Sequence, residues 1–177
     1  MDGFLGVTNR MLNTFNADDK WEKEVRNKYL IPFYNITFNN KYVLCDKGRS
    51  ATLLQKRFDI DTIAQHPDGQ NVIMIEEKFQ RKSWGSLFLE TKSCTNPGRE
   101  SPGWMSYCEA DLLVYIFVDR EIELYMYHFQ ELKDWFWRQE KNVTWITKRT
   151  NQSNHTEGKI VPLKSIPTDF LFYKGIL

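Results

Sequence analysis

The sequence predicts a chain of mixed α and β structure, and three observations carry that expectation. The tetrapeptide His66-Pro67-Asp68-Gly69 separates two segments of strand composition, Phe58–Gln65 and Asn71–Gln80, and supplies the fixed and permissive φ of a tight turn. The run Ala110–Val118 (ADLLVYIFV) is almost continuously apolar, which suits a strand buried on both faces. Trp21, Val25 and Tyr29 recur every four residues ahead of the strands, and Leu132, Trp135 and Phe136 give Gln130–Lys141 an apolar face after them, so helices bracket the strands.

Taken in order, residues 4–14 read as a short first helix. Asn16-Ala-Asp-Asp offers an N-cap and acidic first-turn residues for the helix bearing Trp21, and Pro32 is expected to close it. Phe33–Phe38 and Tyr42–Cys45 have strand composition, with turn chemistry in Asn39-Asn40 between them, so a first hairpin is expected there. Ser50–Phe58 is too short for periodicity to decide between a helix and a lead-in to a strand. The second hairpin follows, then a third strand, Ser86–Cys94. Cys94 to Gly103 holds two Pro-Gly pairs and reads as a polar loop in position to touch a substrate. Trp104–Glu109 suggests a helical turn. Glu121–Phe129 is the hairpin partner of the buried strand, across Asp119-Arg120. Short strands are expected at Thr144–Lys148 and Lys159–Leu163, on either side of a polar loop over Arg149–Gly158. The tail from Ile166 should dock through Phe170, Phe172 and Tyr173.

At 177 residues the chain reads most simply as one domain, 1–177, with room for a real core; 41% of its residues are hydrophobic. No apolar run approaches the roughly 18 residues of a membrane span, so no membrane partner is expected. MDGFLGVTNRM lacks a signal-peptide pattern, and the odd cysteines Cys45, Cys94 and Cys108 read as reduced thiols of a cytoplasmic protein. A net charge of +1 does not advertise a nucleic-acid footprint. Local basic groups remain: Arg49, Lys56 and Arg57 before the hairpin, Arg81 and Lys82 after it, Lys148 and Arg149 later. These are candidates for the rim of a phosphate track.

The second hairpin carries the chemistry. Side chains alternate faces along a strand, so Glu76, Lys78 and Gln80 share one face and Glu77 falls on the other. Asp61 lies fifteen positions before Glu76, where a hairpin brings the two together, and Glu90 sits on the next strand. Hard carboxylate oxygens hold Mg²⁺ or Mn²⁺, which lowers the pKa of bound water and clamps phosphoryl oxygens. A neighbouring lysine orients the nucleophile or offsets transition-state charge. Two ambiguities stay open. A bulge would exchange Glu77 for Glu76 as ligand, and Asp59 competes with Asp61. The plain alternative is a hairpin whose wet face happens to carry Glu and Lys.

Asp61 followed by Glu76-x-Lys78 resembles the signature of the PD-(D/E)xK nuclease superfamily, the restriction-endonuclease-like fold, without the proline of its name. Glu90 after SLFL, Gly103-Trp104 and Ala110-Asp111 extend the likeness to small phage and bacterial nuclease-like proteins, over Gln55 to about Tyr127. The resemblance implies a mixed central β-sheet flanked by helices and a divalent-metal-dependent nuclease. Its metal (Mg²⁺ or Mn²⁺) is expected on Asp61, Glu76 and Glu90, with Glu77 contributing its carbonyl or side chain. Lys78 and Gln80 are expected beside the attacking water. It further implies a nucleic-acid substrate, DNA ahead of RNA, endonucleolytic cutting, an intracellular setting with phage encoding as one option, and dimers, which are common in the superfamily. A helix ahead of the core often adds an acid in such nucleases, and Glu22 is the candidate. Asp111 is a further acid, better read as a strand-edge residue.

Other chemistries find less support. His66, His128 and His155 lack ligand spacing, and no phosphate-cradling glycine loop is present. A catalytically inactive module that binds nucleic acid or protein is the main competitor, and a thiol hydrolase using Cys94 or Cys108 is the third reading.

Overall fold

The computed structural model describes residues 17–45, 53–54, 57–65, 68–150 and 155–177. The chain divides into two compact units, residues 1–40 and residues 41–177. Within the first, residues 17–37 are helical throughout (α1). Pro32 therefore does not close the helix, and the expected strand at Phe33–Phe38 is helix instead. The reason is a π-helical turn, Arg26–Leu30, placed just before the proline, in which the Ile31 N–H bonds back to the Arg26 carbonyl. A wider turn accommodates a residue that has no N–H and a bulky ring. Pro32 then opens the last stretch, Ile31–Thr37, at the position where proline is best tolerated. Asn39 and Asn40 do turn the chain, but as a helix terminus. Both take left-handed φ values, 50° and 59°, and the Asn40 N–H bonds to the Asn35 carbonyl at 3.2 Å. The expected helix over 4–14, the Asn16 cap and the basic residues Arg49 and Lys56 lie outside the described residues.

Among its described residues the second unit holds ten strands: β1 (Tyr42–Leu44), β2 (Thr62–Gln65), β3 (Val72–Gln80), β4 (Ser86–Cys94), β5 (Ser101–Pro102), β6 (Leu112–Val118), β7 (Ile122–His128), β8 (Ile146–Arg149), β9 (Glu157–Pro162) and β10 (Leu171–Ile176). It also holds the α-helices α2 (Trp104–Tyr107) and α3 (Phe129–Glu140), and residues 53–54 and 57–58 are helical as well. The fold is α+β. A six-stranded mixed sheet runs β1-β2-β3-β6-β7-β10, and a four-stranded antiparallel sheet runs β5-β4-β9-β8. The expected hairpin is β2–β3, antiparallel with Thr62 opposite Ile75 and Gln65 opposite Val72. Its first two turn residues, His66 and Pro67, lie outside the described residues, while Gly69 takes a φ of 73°. The first strand is shorter than expected, because residues 57–58 are helical and Asp59 adopts a left-handed φ of 54° before β2 begins.

β3 and β6 are parallel, so the chain must leave the sheet and return between them. That excursion is β4, β5 and α2. The third strand thus lies where the sequence puts it, but in the other sheet, where it pairs with β9. Leu87, Leu89 and Val161 of the four-stranded sheet share one core cluster with Leu113, Tyr115 and Phe117 of β6 and Phe129, Leu132 and Phe136 of α3. α3 also fixes α2 and the segment after it by side-chain donors. Trp137 Nε1 donates to the Met105 carbonyl, Lys133 Nζ to that of Cys108 and Gln130 Nε2 to that of Ala110. Among the described residues no helix is long and apolar enough to cross a membrane.

Candidate active site

Asp61 continues the hairpin ladder one rung beyond β2. Its N–H donates to the Ile75 carbonyl at 2.9 Å, and its carbonyl accepts from Cys45 N–H at 2.7 Å. This puts it opposite Glu76. Its Oδ2 accepts from the Glu77 N–H at 2.9 Å. The Asp61 carboxylate is thus held against the main chain of β3, level with the Glu76–Lys78 step.

Glu76 and Glu77 are both buried, at 1% and 4% exposure, and face different chemistry. Glu77 accepts a 2.7 Å bond from the Thr62 hydroxyl, the side chain across the β2–β3 pair. Its carboxylate therefore belongs to the face opposite Lys78. Glu76 bonds directly to the Lys78 ammonium, which lies 3.7 Å from Asp59 Oδ2 as well. Of the two open pairs, the structure sets Glu76 beside the lysine and keeps both Asp59 and Asp61 within its field.

Glu90 arrives from the other sheet through two devices. Tyr115 of β6 accepts from Gln80 Nε2 at 2.8 Å and from the Phe88 N–H at 3.1 Å, which ties β3 to β4 although they share no ladder. Gly103 lets α2 close on β4. A Cβ there would meet the Glu90 carbonyl oxygen at 2.5 Å and the Lys92 nitrogen at 2.7 Å, so no larger residue fits without moving backbone. The closeness lets the Trp104 N–H donate to the Glu90 carboxylate, which also accepts from Ser93 Oγ. Tyr107 shares a hydrogen bond with Ser93, and the Trp104 ring lies 5.0 Å from the Lys78 ammonium.

The electrostatics follow from four carboxylates around one ammonium. Burial pushes Glu76 up, Lys78 opposes that, and Asp61 and Asp59 push up again, for a net direction well above the usual carboxylate range. Burial alone would pull Lys78 down, but Glu76, Asp59 and Asp61 outweigh it and hold the ammonium firmly protonated. Glu90 is raised by burial, with Ser93, Lys78 and the Trp104 N–H acting against it. Tyr107 is pushed up to about 12, first by burial and then by Asp59 and Glu90.

The donor set is all carboxylate oxygen, the chemistry of a hard divalent cation. As the side chains stand, no three His, Cys, Asp or Glu among the described residues are disposed to hold a metal ion. The Lys78 ammonium takes the position against Glu76 and Asp59. Any cation bound here would have to share those oxygens with Lys78.

Not every candidate joins the cluster. Gln80 is bonded to Tyr115 and acts on strand placement. Asp111, exposed, accepts the Met74 N–H at 2.7 Å, while its own N–H donates to the Met74 carbonyl at 2.8 Å and it clamps the β3–β6 register. Glu22 belongs to α1 of the first unit, and the side chains described above belong to the second. Trp104 is buried at 4% and so is an interior partner of Lys78, not an open stacking platform. Cys108 is buried, its thiol donates to the Asp59 carbonyl at 3.4 Å, and burial pushes it well up, which disfavours a thiolate nucleophile. Ser93, Tyr107 and Tyr115 escape sequence reasoning. The one available signal is the three-residue spacing of Glu90 and Ser93. A scan against protein-family models, a search of curated proteins and a search of solved structures each return no match.

Proposed function

We propose that this protein is a divalent-metal-dependent nuclease that hydrolyses phosphodiester bonds, DNA ahead of RNA, at the Asp61–Glu76–Lys78–Glu90 cluster. One observation carries the reading: three chain segments place four carboxylates around a single lysine, with Glu76 almost wholly inaccessible. Buried charge in such excess is costly and adds nothing that an apolar core would not supply better. A site that must gather cationic charge against phosphate explains it.

Asp61, Glu76 and Glu90 would hold Mg²⁺ or Mn²⁺, with Asp59 as the neighbouring acid. Bound there, the cation would supply Lewis acidity and a water of lowered pKa. Lys78 carries the protein's own share. Its ammonium, kept charged by the surrounding acids, faces a phosphoryl oxygen or the attacking water and offsets the charge that develops. Ser93, Tyr107 and the Trp104 N–H hold Glu90 in place, and Gln80 and Tyr115 hold β3 against β4.

The test is a cleavage panel of single-stranded DNA, duplex DNA and RNA with Mn²⁺, Mg²⁺ or EDTA, wild type beside Lys78→Ala. Metal-dependent cutting that falls about 100-fold or more in the variant is expected, the size of effect typical of losing one electrostatic catalytic group. No cutting of any substrate, with no metal-induced rise in melting temperature, overturns it. The position of the Lys78 ammonium favours a second reading, a catalytically inactive module that binds nucleic acid or a protein. That reading expects no metal effect on the melt.

A further inference from the structure

Beyond the site lysine, the chain from Phe79 to Leu89 (FQRKSWGSLFL) carries two basic residues, Arg81 and Lys82, and no acid. Its apex, Arg81 to Gly85, projects between two anchors: Gln80 bonded to Tyr115, and the Gly85 carbonyl, which accepts the Leu163 N–H at 2.9 Å. Gly85 takes a left-handed φ of 62°, which turns the chain into β4. Trp84 sits on this apex at 73% exposure, whereas Trp104, Trp135 and Trp145 are at 4%, 9% and 8%. Arg81 and Lys82 are exposed beside it, and the Lys82 ammonium lies 5.7 Å from the Trp84 ring.

An indole left in water forgoes a large apolar contribution and keeps its ring face open to a ligand and to neighbouring cations. Here it meets the Lys82 ammonium, with the exposed Arg81 one residue earlier in the chain. A solvent-facing aromatic ring flanked by basic side chains is the chemistry of single-strand recognition. An unpaired base stacks on the ring and the adjoining phosphates approach the cations. A stacked duplex offers no free base face to such a ring. Arg81 follows Lys78 by three residues, about 10 Å of extended chain. A short oligonucleotide therefore reaches from this apex to the cluster.

We infer that the β3–β4 apex is a binding site for an unpaired nucleobase and its flanking phosphates, with Trp84 as the stacking surface and Arg81 and Lys82 as the phosphate contacts. Its role as substrate selector rests on the nuclease reading; its existence does not. The site makes the preferred substrate a single strand or a frayed end.

The experiment is fluorescence anisotropy in EDTA, so that binding is read without cutting. The probes are labelled single-stranded DNA, single-stranded RNA and duplex DNA of about 12 nucleotides, within the usual footprint of such grooves. Wild type, Trp84→Ala, Trp84→Phe and Arg81→Gln/Lys82→Gln are compared after their melts are matched. Both single strands should bind more tightly than duplex. Trp84→Ala should lose about 5- to 150-fold on single strands, Trp84→Phe less. The double variant should lower the log–log salt slope by about 1.4. A preference between the DNA and RNA strands identifies which source the site serves. Equal binding by wild type and Trp84→Ala overturns the inference, as does an equal loss on duplex. Loss of a concentration-dependent dimer with oligonucleotide binding intact would assign Trp84 to self-association and also overturn it. Lost binding in Trp84→Ala with no cutting by any variant keeps this site and removes the nuclease; binding and metal-dependent cutting both unchanged in Trp84→Ala do the reverse.

Discussion

Two ionic clusters share the second unit, and they resolve the same problem in opposite ways. On the β4–β9 pair, Glu157 lies 3.2 Å from Lys92 and 3.3 Å from Arg149, so cations outnumber the acid. Burial acts upward on Glu157, but the hydrogen bonds from Lys92 and Arg149 outweigh it and hold the carboxylate below its usual range. Around Lys78 the acids outnumber the cation, and burial wins at Glu76 and Glu90. Glu90 and Glu157 even sit on neighbouring rungs of one ladder, Glu90 opposite Gly158 and Lys92 opposite Glu157. Strand position therefore does not decide the outcome. Stoichiometry and desolvation do, and an arrangement that worsens both is one that stability alone would not select.

The largest effect should come from breaking the buried pair. Lys78→Ala leaves Glu76, at 2% side-chain exposure, without its cation, and Lys78 itself is 28% exposed. Removing one partner of such a pair costs about 3 kcal/mol, near the lower end for buried pairs because water reaches the ammonium. Urea unfolding should show that loss in Lys78→Ala, and Glu76→Gln/Lys78→Met should recover most of it. A single-variant loss under about 1 kcal/mol would mean the pair is solvated like a surface one. Mn²⁺ should raise the melting temperature of Lys78→Ala at least as much as that of wild type, since the ammonium no longer competes for the acids.

Next is Thr62→Val, which keeps the shape of the side chain and leaves the Glu77 carboxylate without its hydroxyl donor. The expected cost is about 2 kcal/mol, that of a lost hydrogen bond to a charged group. Metal-dependent stabilisation and any cleavage should survive, because Glu77 faces away from Lys78. If Thr62→Val instead removed the metal response, the two faces of β3 would not be chemically separate.

The separation of those faces was legible in the sequence, since a two-residue period assigns Glu76, Lys78 and Gln80 to one side whatever the strand pairs with. So were β4, β6, β7 and α3, where long apolar runs or a clear 3.6-residue stripe meet strong turn residues. The helix at Phe33–Phe38 was not. Its β-branched and aromatic residues favour a strand locally, and only the π turn before Pro32 permits the helix to continue. The parallel β3–β6 pairing left no local trace either. With it went the knowledge that Glu90 reaches Lys78 from a second sheet, through Tyr115 and the close approach at Gly103. Ser93 and Tyr107 became site residues only through that three-dimensional detour. Asp59 against Asp61 could not be decided by strand alternation, because Asp59 is not in a strand.

Glu90→Gln probes the desolvation itself. Glu90 is raised in the fold, so its ionised form is penalised relative to the unfolded chain, and stability falls as pH rises through the folded pKa. The variant cannot ionise. At neutral pH it should melt above wild type. The gap should close as the pH falls toward about 4, where an unfolded glutamate is also protonated. Mn²⁺ should stabilise wild type more than the variant. A variant melting below wild type at neutral pH would show that Ser93 and the Trp104 N–H fully repay the burial of the charge.

The smallest effect, and the sharpest contrast, should come from Glu157→Gln. Lys92 and Arg149 are 54% and 60% exposed, so the pairs are screened and the loss should stay under about 1 kcal/mol. Its sign with pH is reversed. Glu157 is lowered in the fold, so its contribution is present above the unfolded value and is lost as pH falls through the folded one, below about pH 4. Melting curves of the two variants against wild type, from about pH 3 to 7.5, should therefore depart from it in opposite directions at neutral pH, Glu90→Gln above and Glu157→Gln below, and converge on it toward low pH. Added salt should shrink the Glu157 effect at neutral pH and leave the Glu90 effect nearly unchanged, because a Debye length of about 3 Å at 1 M reaches exposed pairs and not buried ones. Parallel pH and salt responses in the two variants would make the Lys78 cluster an ordinary ion network and remove the electrostatic case for a catalytic site.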